Sequence, residues 1–185
     1  MKPTQILLTL LVLLFLNCNS KQTESASSIE VNITISDSLG SRPLDGRLLL
    51  IFADNDEGEP RFQVTEGLNA QPIFGIDVED FSAGEKAVFN DDVFGFPYAS
   101  LSDIKPGDYY VQALLHTYET FNLSTGQTVK LPMDNGEGQQ WKTSPGNLFS
   151  TPFKVTITEN GIENLNVNLD QIIPPIEEPK DTKWI

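Results

Sequence analysis

The sequence predicts an all-β fold, an antiparallel β-sandwich with two long loops, preceded by a signal peptide. Several short segments alternate apolar with polar residues, which is typical of strands that bury one face. After residue 18, no segment shows the i, i+3, i+4 apolar spacing of an amphipathic helix. Helix is therefore expected only as short pieces in loops, and two facing sheets with Greek-key connections suit strands of this kind.

Three segments give strand predictions between the N-terminus and the middle of the chain. In residues 29–35, isoleucine and valine alternate with polar residues, so one face of this strand is expected in the core. Residues 47–53 (RLLLIFA) form an apolar run that predicts a central strand buried on both faces. Residues 108–116 alternate again, and the side expected in the core carries Tyr109, Val111, Ala113 and Leu115.

The last part of the chain predicts a β-hairpin. Residues 153–157 and 165–169 each alternate, and Asn160-Gly161 lies between them. Asn-Gly is the strongest short hairpin signal, because both turn positions favour positive φ.

Two long connections remain, residues 54–85 and 117–152. Most connections between secondary-structure elements have a median of about 4–6 residues, and binding residues concentrate on long loops. The sequence therefore places any function of this domain in these two segments.

The N-terminus has the pattern of an exported lipoprotein. Residues 6–16 (ILLTLLVLLFL) form an eleven-residue apolar segment after Lys2, shorter than the ~20 residues that span a bilayer as a helix. Cys18, the only cysteine, follows and resembles the cysteine that receives a diacylglycerol before signal peptidase II cleaves. Residues 1–17 are then the signal peptide, and residues 18–28 a lipidated, flexible tether.

Acyl chains on Cys18, at about 0.8 kcal/mol per buried CH₂, would hold the protein on a membrane despite its acidity. We therefore expect a lipoprotein of the outer membrane in a bacterial cell envelope, on a side that the sequence does not assign. The alternative is cleavage by ordinary signal peptidase, with Cys18 left as a thiol.

Charge and size narrow the partner classes. Cleavage leaves 168 residues, enough for one domain with a sizeable core, and the loss of Lys2 changes the net charge from −14 to −15. Such a surface repels phosphate backbones, so nucleic acid is not expected as a partner. A single cysteine excludes an internal disulfide and a cysteine zinc site.

No residue pattern predicts catalysis. His116 is the only histidine, which excludes a histidine metal cluster, and it is expected at the end of a strand with a structural role. The sequence has no Gly-x-Ser-x-Gly, His-Glu-x-x-His or phosphate-loop motif. We therefore expect a protein that is not an enzyme and has no catalytic residues or organic cofactor.

Acidic loops leave one metal hypothesis open. Residues 54–59 (DNDEGE) begin like an EF-hand loop, but Gly58 stands at the fifth position, where that loop needs a ligand. A different calcium loop, using Asp54 and Asp56 with Asp91 and Asp92, is one interpretation. Solvated loop acids are the other.

Trp141 lies in a polar, Gly-rich segment, residues 133–149. An indole in such a loop can stack on a sugar ring or insert into a neighbouring domain. Alternatively, Trp141 folds back and closes one end of the sandwich.

Residues 101–109 (LSDIKPGDY) resemble the turn into a late strand of transthyretin-like and carboxypeptidase-regulatory-like sandwiches. The resemblance implies an Ig-like or transthyretin-like sandwich in which Tyr109 caps a corner between the sheets. The motif is architectural and says little about a ligand.

Residues 106–116 and 141–150, with the string Pro145-Gly-Asn-Leu-Phe-Ser150, resemble the β domain that precedes the catalytic domain in bacterial esterases of the esterase D and enterochelin-esterase type. The resemblance covers most of residues 29–170. Those esterases continue into an α/β-hydrolase domain with the serine nucleophile, so it implies no catalytic residue here. Residues 171–185 begin as a Pro-rich linker or tail.

The sequence therefore predicts a lipid-anchored, non-enzymatic β-sandwich for binding or scaffolding, with residues 117–152 as its contact surface. The candidate contact residues are Tyr118, Trp141, Pro145, Asn147 and Phe149. The alternatives are an accessory domain of a truncated or split esterase, which contacts a hydrolase domain, and a calcium- or carbohydrate-binding surface lipoprotein.

Overall fold

The computed structural model describes residues 28–40, 42–67, 69–133 and 140–177. The signal peptide and Cys18 lie outside these residues, as does all of the tether except its last residue. In the described part, helix is limited to α1 (Pro60–Gln63) and one 3₁₀ turn, Leu101–Asp103. The prediction of an all-β sandwich with short helical pieces is confirmed.

Strands account for about half of the described chain. They are β1 (Ser28–Ile35), β2 (Leu44–Ala53), β3 (Ile73–Phe81), β4 (Ala87–Phe89), β5 (Gly95–Phe96), β6 (Gly107–Asn122), β7 (Thr128–Pro132), β8 (Leu148–Phe149), β9 (Phe153–Ile157), β10 (Gly161–Leu169) and β11 (Gln171–Ile172).

Two sheets face each other across the core. The smaller sheet has the order β10-β1-β4, and the larger has the order β11-β8-β6-β2-β3-β5. The pairings described within the sheets are antiparallel except that between β1 and β10, which is parallel. The strand predicted at residues 29–35 is thus the middle strand of the smaller sheet.

Strand β6 is the long axis of the larger sheet. One edge pairs with β2 from Tyr110 to Thr117. The other edge pairs in succession with β9, β8 and β7. The prediction that His116 ends this strand is wrong, because the residues after it include Thr117, Thr120 and Phe121, types that favour β structure.

The two long loops are shorter than predicted. Residues 54–85 contain α1 and all of β3, and residues 117–152 contain the end of β6 together with β7 and β8. Strand β3 carries Asp77, Glu79 and Asp80, which hide its strand pattern in the sequence. All three acidic side chains are exposed to solvent, so their charges lower the stability of the fold very little.

The predicted C-terminal hairpin is wrong. β9 pairs with β6 in the larger sheet, whereas β10 pairs with β1 in the smaller one. The Asn160-Gly161 turn, with Gly161 at φ +77°, therefore carries the chain from one sheet to the other. The alternating pattern is the same for a β9–β10 hairpin and for two strands that belong to different sheets, because both strands turn their apolar residues inward in either case.

The core lies between the sheets and is made of the alternating residues that the sequence indicates. Inward-facing side chains of β1, β2, β6 and β10 are buried: Ile29, Val31, Ile33, Leu48, Leu50, Phe52, Val111, Ala113, Leu115, Val167 and Leu169. Phe74, Phe52 and Tyr109 form an edge-to-face row with ring centroids 6.2 and 6.1 Å apart. This row joins the centre of the core to one end of the sandwich.

Tyr109 fixes the turn that leads into β6, as the sequence predicts. Its hydroxyl donates a hydrogen bond to the backbone oxygen of Lys105 at 2.9 Å. The 3₁₀ turn before it is closed by reciprocal bonds between Ser100 and Asp103. Residues 101–109 therefore form a rigid entry to the central strand.

Gly95 tests the packing of this core. A side chain at Gly95 would collide with the ring of buried Phe74, whereas one at Gly58 would meet open space. We expect Gly95→Ala to lower the free energy of unfolding by about 1–3 kcal/mol. Urea titration of both variants measures this, and a Gly95→Ala chain as stable as Gly58→Ala would contradict the packing.

Candidate functional site

The face of the larger sheet that points away from the smaller sheet, called the outer face here, is partly covered. Helix α1 contacts β2 and β6 on this face. The loop that leads into β8, residues 140–147, is called the covering loop here; it is bonded to β6 through Asn147 and to Val64, just after α1, through Lys142. Ile51, Ala53 and Leu114 are buried although they do not belong to the core between the sheets. The outer face therefore has a second, thinner apolar layer.

Asn147 holds the covering loop in place. Its Oδ1 accepts hydrogen bonds from the backbone N–H and the hydroxyl of Thr117, at 3.0 and 3.2 Å. Its Nδ2 donates to the backbone oxygen of Trp141 at 2.9 Å. Asn147 is 1% exposed, so it positions the loop and leaves contact with a ligand to its neighbours.

Trp141 and Pro145 lie at the surface of this loop and are half-buried. The ammonium group of Lys142 lies 5.5 Å from the Trp141 ring centroid and donates to the backbone oxygen of Val64 at 2.8 Å. One part of the indole is therefore already engaged by a cation of the same loop.

Phe149 contacts a buried arginine that the sequence did not single out. The Arg61 guanidinium carbon lies 3.9 Å from the Phe149 ring centroid and 4.6 Å from that of Phe62. Its Nε lies 3.0 Å from Glu59 Oε2. Burial lowers the pKa of the Arg61 guanidinium below its ordinary value, and the neighbouring Glu59 carboxylate offsets part of this shift. Nη1 of Arg61 is buried without a hydrogen-bond partner in the described structure.

Gln112 links α1 to the sheet. This fully buried side chain accepts a hydrogen bond from the backbone N–H of Arg61 and donates to Glu59 and to the Ser150 backbone oxygen. Arg61 is therefore held by the sheet beneath it as well as by Glu59. No local motif announces this arrangement, since its residues come from three distant segments.

Tyr118 lies at the other end of β6, beside the predicted His116. The two rings meet edge to face with centroids 5.7 Å apart. Tyr118 also borders two shallow clefts of about 340 and 240 Å³. In the first, Lys130 bridges Asp45 and Glu79 at 3.0 and 3.5 Å, so this cation is already neutralised.

The predicted calcium ligands take part in hydrogen bonds within the protein. Asp54 accepts bonds from Asn55 and Gln71, Asp56 from Tyr110, and Asp91 from Ser100 and Ser102, while the Asp92 backbone N–H donates to Asn90. In the part of the chain that the structure describes, no three His, Cys, Asp or Glu side chains are grouped to hold a metal ion.

A polar cleft of about 440 Å³ opens at one end of the sandwich, and we call it the end cleft. Asp54 and Asn55 follow β2, residues 69–72 precede β3, Tyr98 follows β5, and Tyr109 belongs to β6. From the sequence, Asp54 was predicted as a metal ligand and Tyr109 as a corner residue, and no pattern indicated that they lie in the same site. Four separate segments build this site, so only the strand pairing reveals it.

The walls of the end cleft are fixed by internal bonds. Gln71 Nε2 donates to Asp54 Oδ1 at 2.9 Å, and the Asp54 backbone N–H donates to Gln71 Oε1 at 3.3 Å. Burial raises the pKa of Tyr109, with further contributions from the nearby Tyr98 and Asp54. A carboxylate, amide groups and two phenol rings therefore meet around one opening.

Comparison with protein-family models, with curated proteins and with solved structures finds no match for the chain. The esterase resemblance therefore stays a prediction. Within the described ranges, no helix has the length and apolar character needed to cross a membrane.

Asn147→Ala tests the anchoring of the covering loop. The substitution leaves the buried N–H of Thr117 without its acceptor, so we expect a loss of about 1–3 kcal/mol in the free energy of unfolding. Asn122→Ala, which removes one hydrogen bond at an exposed site, is the matched control. Equal urea midpoints for the two variants would refute this role of Asn147.

His116 makes stability depend on pH. Burial lowers its pKa below the ordinary 6.5, and its buried Nε2 has no partner among the described atoms. The unfolded chain binds a proton at His116 more readily than the folded chain does. The stability associated with the neutral imidazole is therefore fully present above pH 6.5 and is lost as the pH falls through the folded-state pKa of His116. The pKa values of Asp45 and Asp108 are lowered below 3.8, so the stability that these ionised carboxylates contribute is lost only in stronger acid.

We therefore expect the free energy of unfolding to fall between pH 7.5 and pH 5, and less so in His116→Gln. Urea titrations at both pH values measure the slope. The chain has no other histidine, so an identical slope in the variant would show that His116 is not the group responsible.

Proposed function

We propose that this chain is a lipid-anchored, non-enzymatic binding module of the bacterial cell envelope, which takes up its ligand in the end cleft. The observation that carries the proposal is the end cleft itself. Its volume lies within the ~300–1,000 Å³ of ligand sites, and its polar groups converge from separate loops on a rigid scaffold.

The N-terminal sequence supports the anchor. An eleven-residue apolar segment followed by the only cysteine suits lipid attachment at Cys18. The polar residues after Cys18 would act as a tether between the membrane and β1. A strongly acidic domain on such a tether is kept off anionic headgroups and faces the solvent.

Cys18→Ser tests the anchor. We expect the variant to lose fatty-acid labelling and to move from the membrane to the soluble fraction of the producing cells. Ser20→Ala is the matched control, because it changes a tether residue and keeps the acceptor cysteine. Labelling that persists in Cys18→Ser would contradict lipidation.

Sedimentation with delipidated envelope polymers tests the binding module. The full chain in detergent should sediment with this material in a saturable manner. Tyr98→Ala removes an aromatic wall of the end cleft and should bind about tenfold more weakly, equivalent to about 1.4 kcal/mol. Val88→Ala, on the smaller sheet, should bind like the wild type; equal binding by all three chains would argue against the cleft.

A second candidate is an accessory domain that positions a hydrolase domain, and exposed aromatic residues favour it. Phe62, Phe94 and Phe96 are 48%, 73% and 49% exposed. Phe96 pairs with Ile73, which pairs with Ile51, so Phe96 shares the outer face with α1. Aromatic residues are enriched at protein interfaces.

A photo-reactive amino acid at Phe96 tests this candidate in cells. It should cross-link to a chain that contains a hydrolase domain, whereas the same probe at Val88, 43% exposed on the opposite sheet, should not. Absence of an adduct from Phe96, or equal adducts from both positions, would count against the accessory role.

A further inference from the structure

We infer that the ligand of the end cleft is a neutral saccharide, which stacks on Tyr98 and Tyr109 and makes hydrogen bonds to Asp54 and Gln71. The inference rests on the proposed binding function and names the ligand of that site.

Charge selects against anions. The lining of the end cleft consists of Asp54, Asn55, Asn69, Ala70, Gln71, Pro72, Tyr98 and Tyr109. One carboxylate stands among these residues and no lysine or arginine does. A phosphate or carboxylate ligand would meet the negative charge of Asp54 with no cation to offset it. The cleft therefore suits a ligand without negative charge.

Hydrogen-bonding capacity favours hydroxyl groups. The side chains of Asn55, Asn69 and Gln71 each carry donors and an acceptor, and the carboxylate of Asp54 adds acceptors. Asp54 Oδ1 already accepts bonds from Asn55 at 2.8 Å and from Gln71 at 2.9 Å. These two bonds hold the carboxylate in one orientation at the lining of the end cleft. Sugar hydroxyls, which both donate and accept, match this mixed set.

The two tyrosines supply the apolar contact. Tyr109 is held by its edge-to-face contact with Phe52 and by its hydroxyl bond to Lys105. Tyr98 lines the same opening and is half-buried. A pyranose ring presents C–H groups on its faces and hydroxyls around its rim. Phenol rings beside amides and a carboxylate are complementary to both parts of such a ring.

A cationic ligand uses less of the site. A quaternary ammonium group could rest on the two phenol rings near Asp54. It has no hydrogen-bonding group, so it would displace water from the amides of Asn69 and Gln71 without replacing those bonds. The cleft is therefore better matched by a neutral polyhydroxyl ligand than by a quaternary ammonium ion.

The end cleft is also a better sugar site than Trp141. Lys142 already lies near that indole ring, and the Asn147 amide beneath the loop is only 1% exposed, so a ligand cannot reach it. The end cleft instead combines its aromatic rings with amide groups at the surface. This combination places the saccharide at the end of the sandwich and not on its outer face.

Calorimetric titration of the full chain in detergent tests the inference. The neutral probes are maltohexaose, cellohexaose, mannohexaose and chitohexaose, with tetramethylammonium as the cationic probe and inorganic phosphate as the anionic one. We expect at least one neutral hexasaccharide to bind. Tyr98→Ala and Gln71→Ala should each weaken it about tenfold or more, whereas Tyr98→Phe should keep most of the affinity because it keeps the ring.

Phe121→Ala is the matched control, since it removes an aromatic ring that is 37% exposed at the opposite end of β6. Thermal unfolding of each variant shows whether it is folded. If Tyr98→Ala does not fold, Tyr98→Phe is compared with the wild type in its place. Saccharide binding that the cleft variants leave unchanged would overturn the inferred site. Cleft-dependent binding of tetramethylammonium or phosphate alone would overturn the saccharide but keep the binding module, and no binding by any probe would overturn both.

Discussion

The hydrogen-bonded pairing of β6 along both of its edges is the interaction on which the rest of the structure depends. β2 occupies one edge, and β9, β8 and β7 follow one another along the other. The inward side chains of β6 complete the core, and its outward Gln112 and Leu114 support α1 and the loop of residues 140–150. One strand thereby helps to position both the outer face of the larger sheet and the end cleft.

The end cleft takes its order from this strand. Tyr109 stands at the start of β6 and continues the edge-to-face row that runs through Phe74 and Phe52. Asp54 and Gln71 adjoin β2 and β3 and lock each other by two hydrogen bonds. A site whose groups extend from paired strands needs little reordering when a ligand enters, which favours affinity. The architecture of the sheet therefore supports the proposed binding role.

The sequence predicted the features that depend on local patterns. Alternation predicted β1 and the core side of β6, and an apolar run predicted β2. The resemblance of residues 101–109 to transthyretin-like sandwiches implied the turn capped by Tyr109. Local patterns did not predict which strands pair with each other. Asn160-Gly161 reads as a hairpin, yet its flanking strands belong to different sheets, because two inward-facing alternating strands satisfy either arrangement. The acidic residues of β3 hid a strand whose pairing with β2 outweighs its composition.

The candidate site was less predictable than the fold for the same reason. Asn147 and Phe149 were identified as contact residues, but the structure gives Asn147 a buried positioning role and Phe149 a guanidinium to stack on. Arg61 and the end cleft gave no signal, because their partners lie about 50 residues away in the chain or in separate segments. Only long-range strand pairing creates them.

Chemical-shift mapping of the ¹⁵N-labelled chain during titration with the tightest-binding oligosaccharide tests whether a saccharide occupies the end cleft. We expect the largest backbone changes at Asp54, Asn55, Gln71, Tyr98 and Tyr109, while residues 141–149 stay unchanged. Changes centred on Trp141 and its loop, or spread evenly over the sandwich, would contradict this expectation.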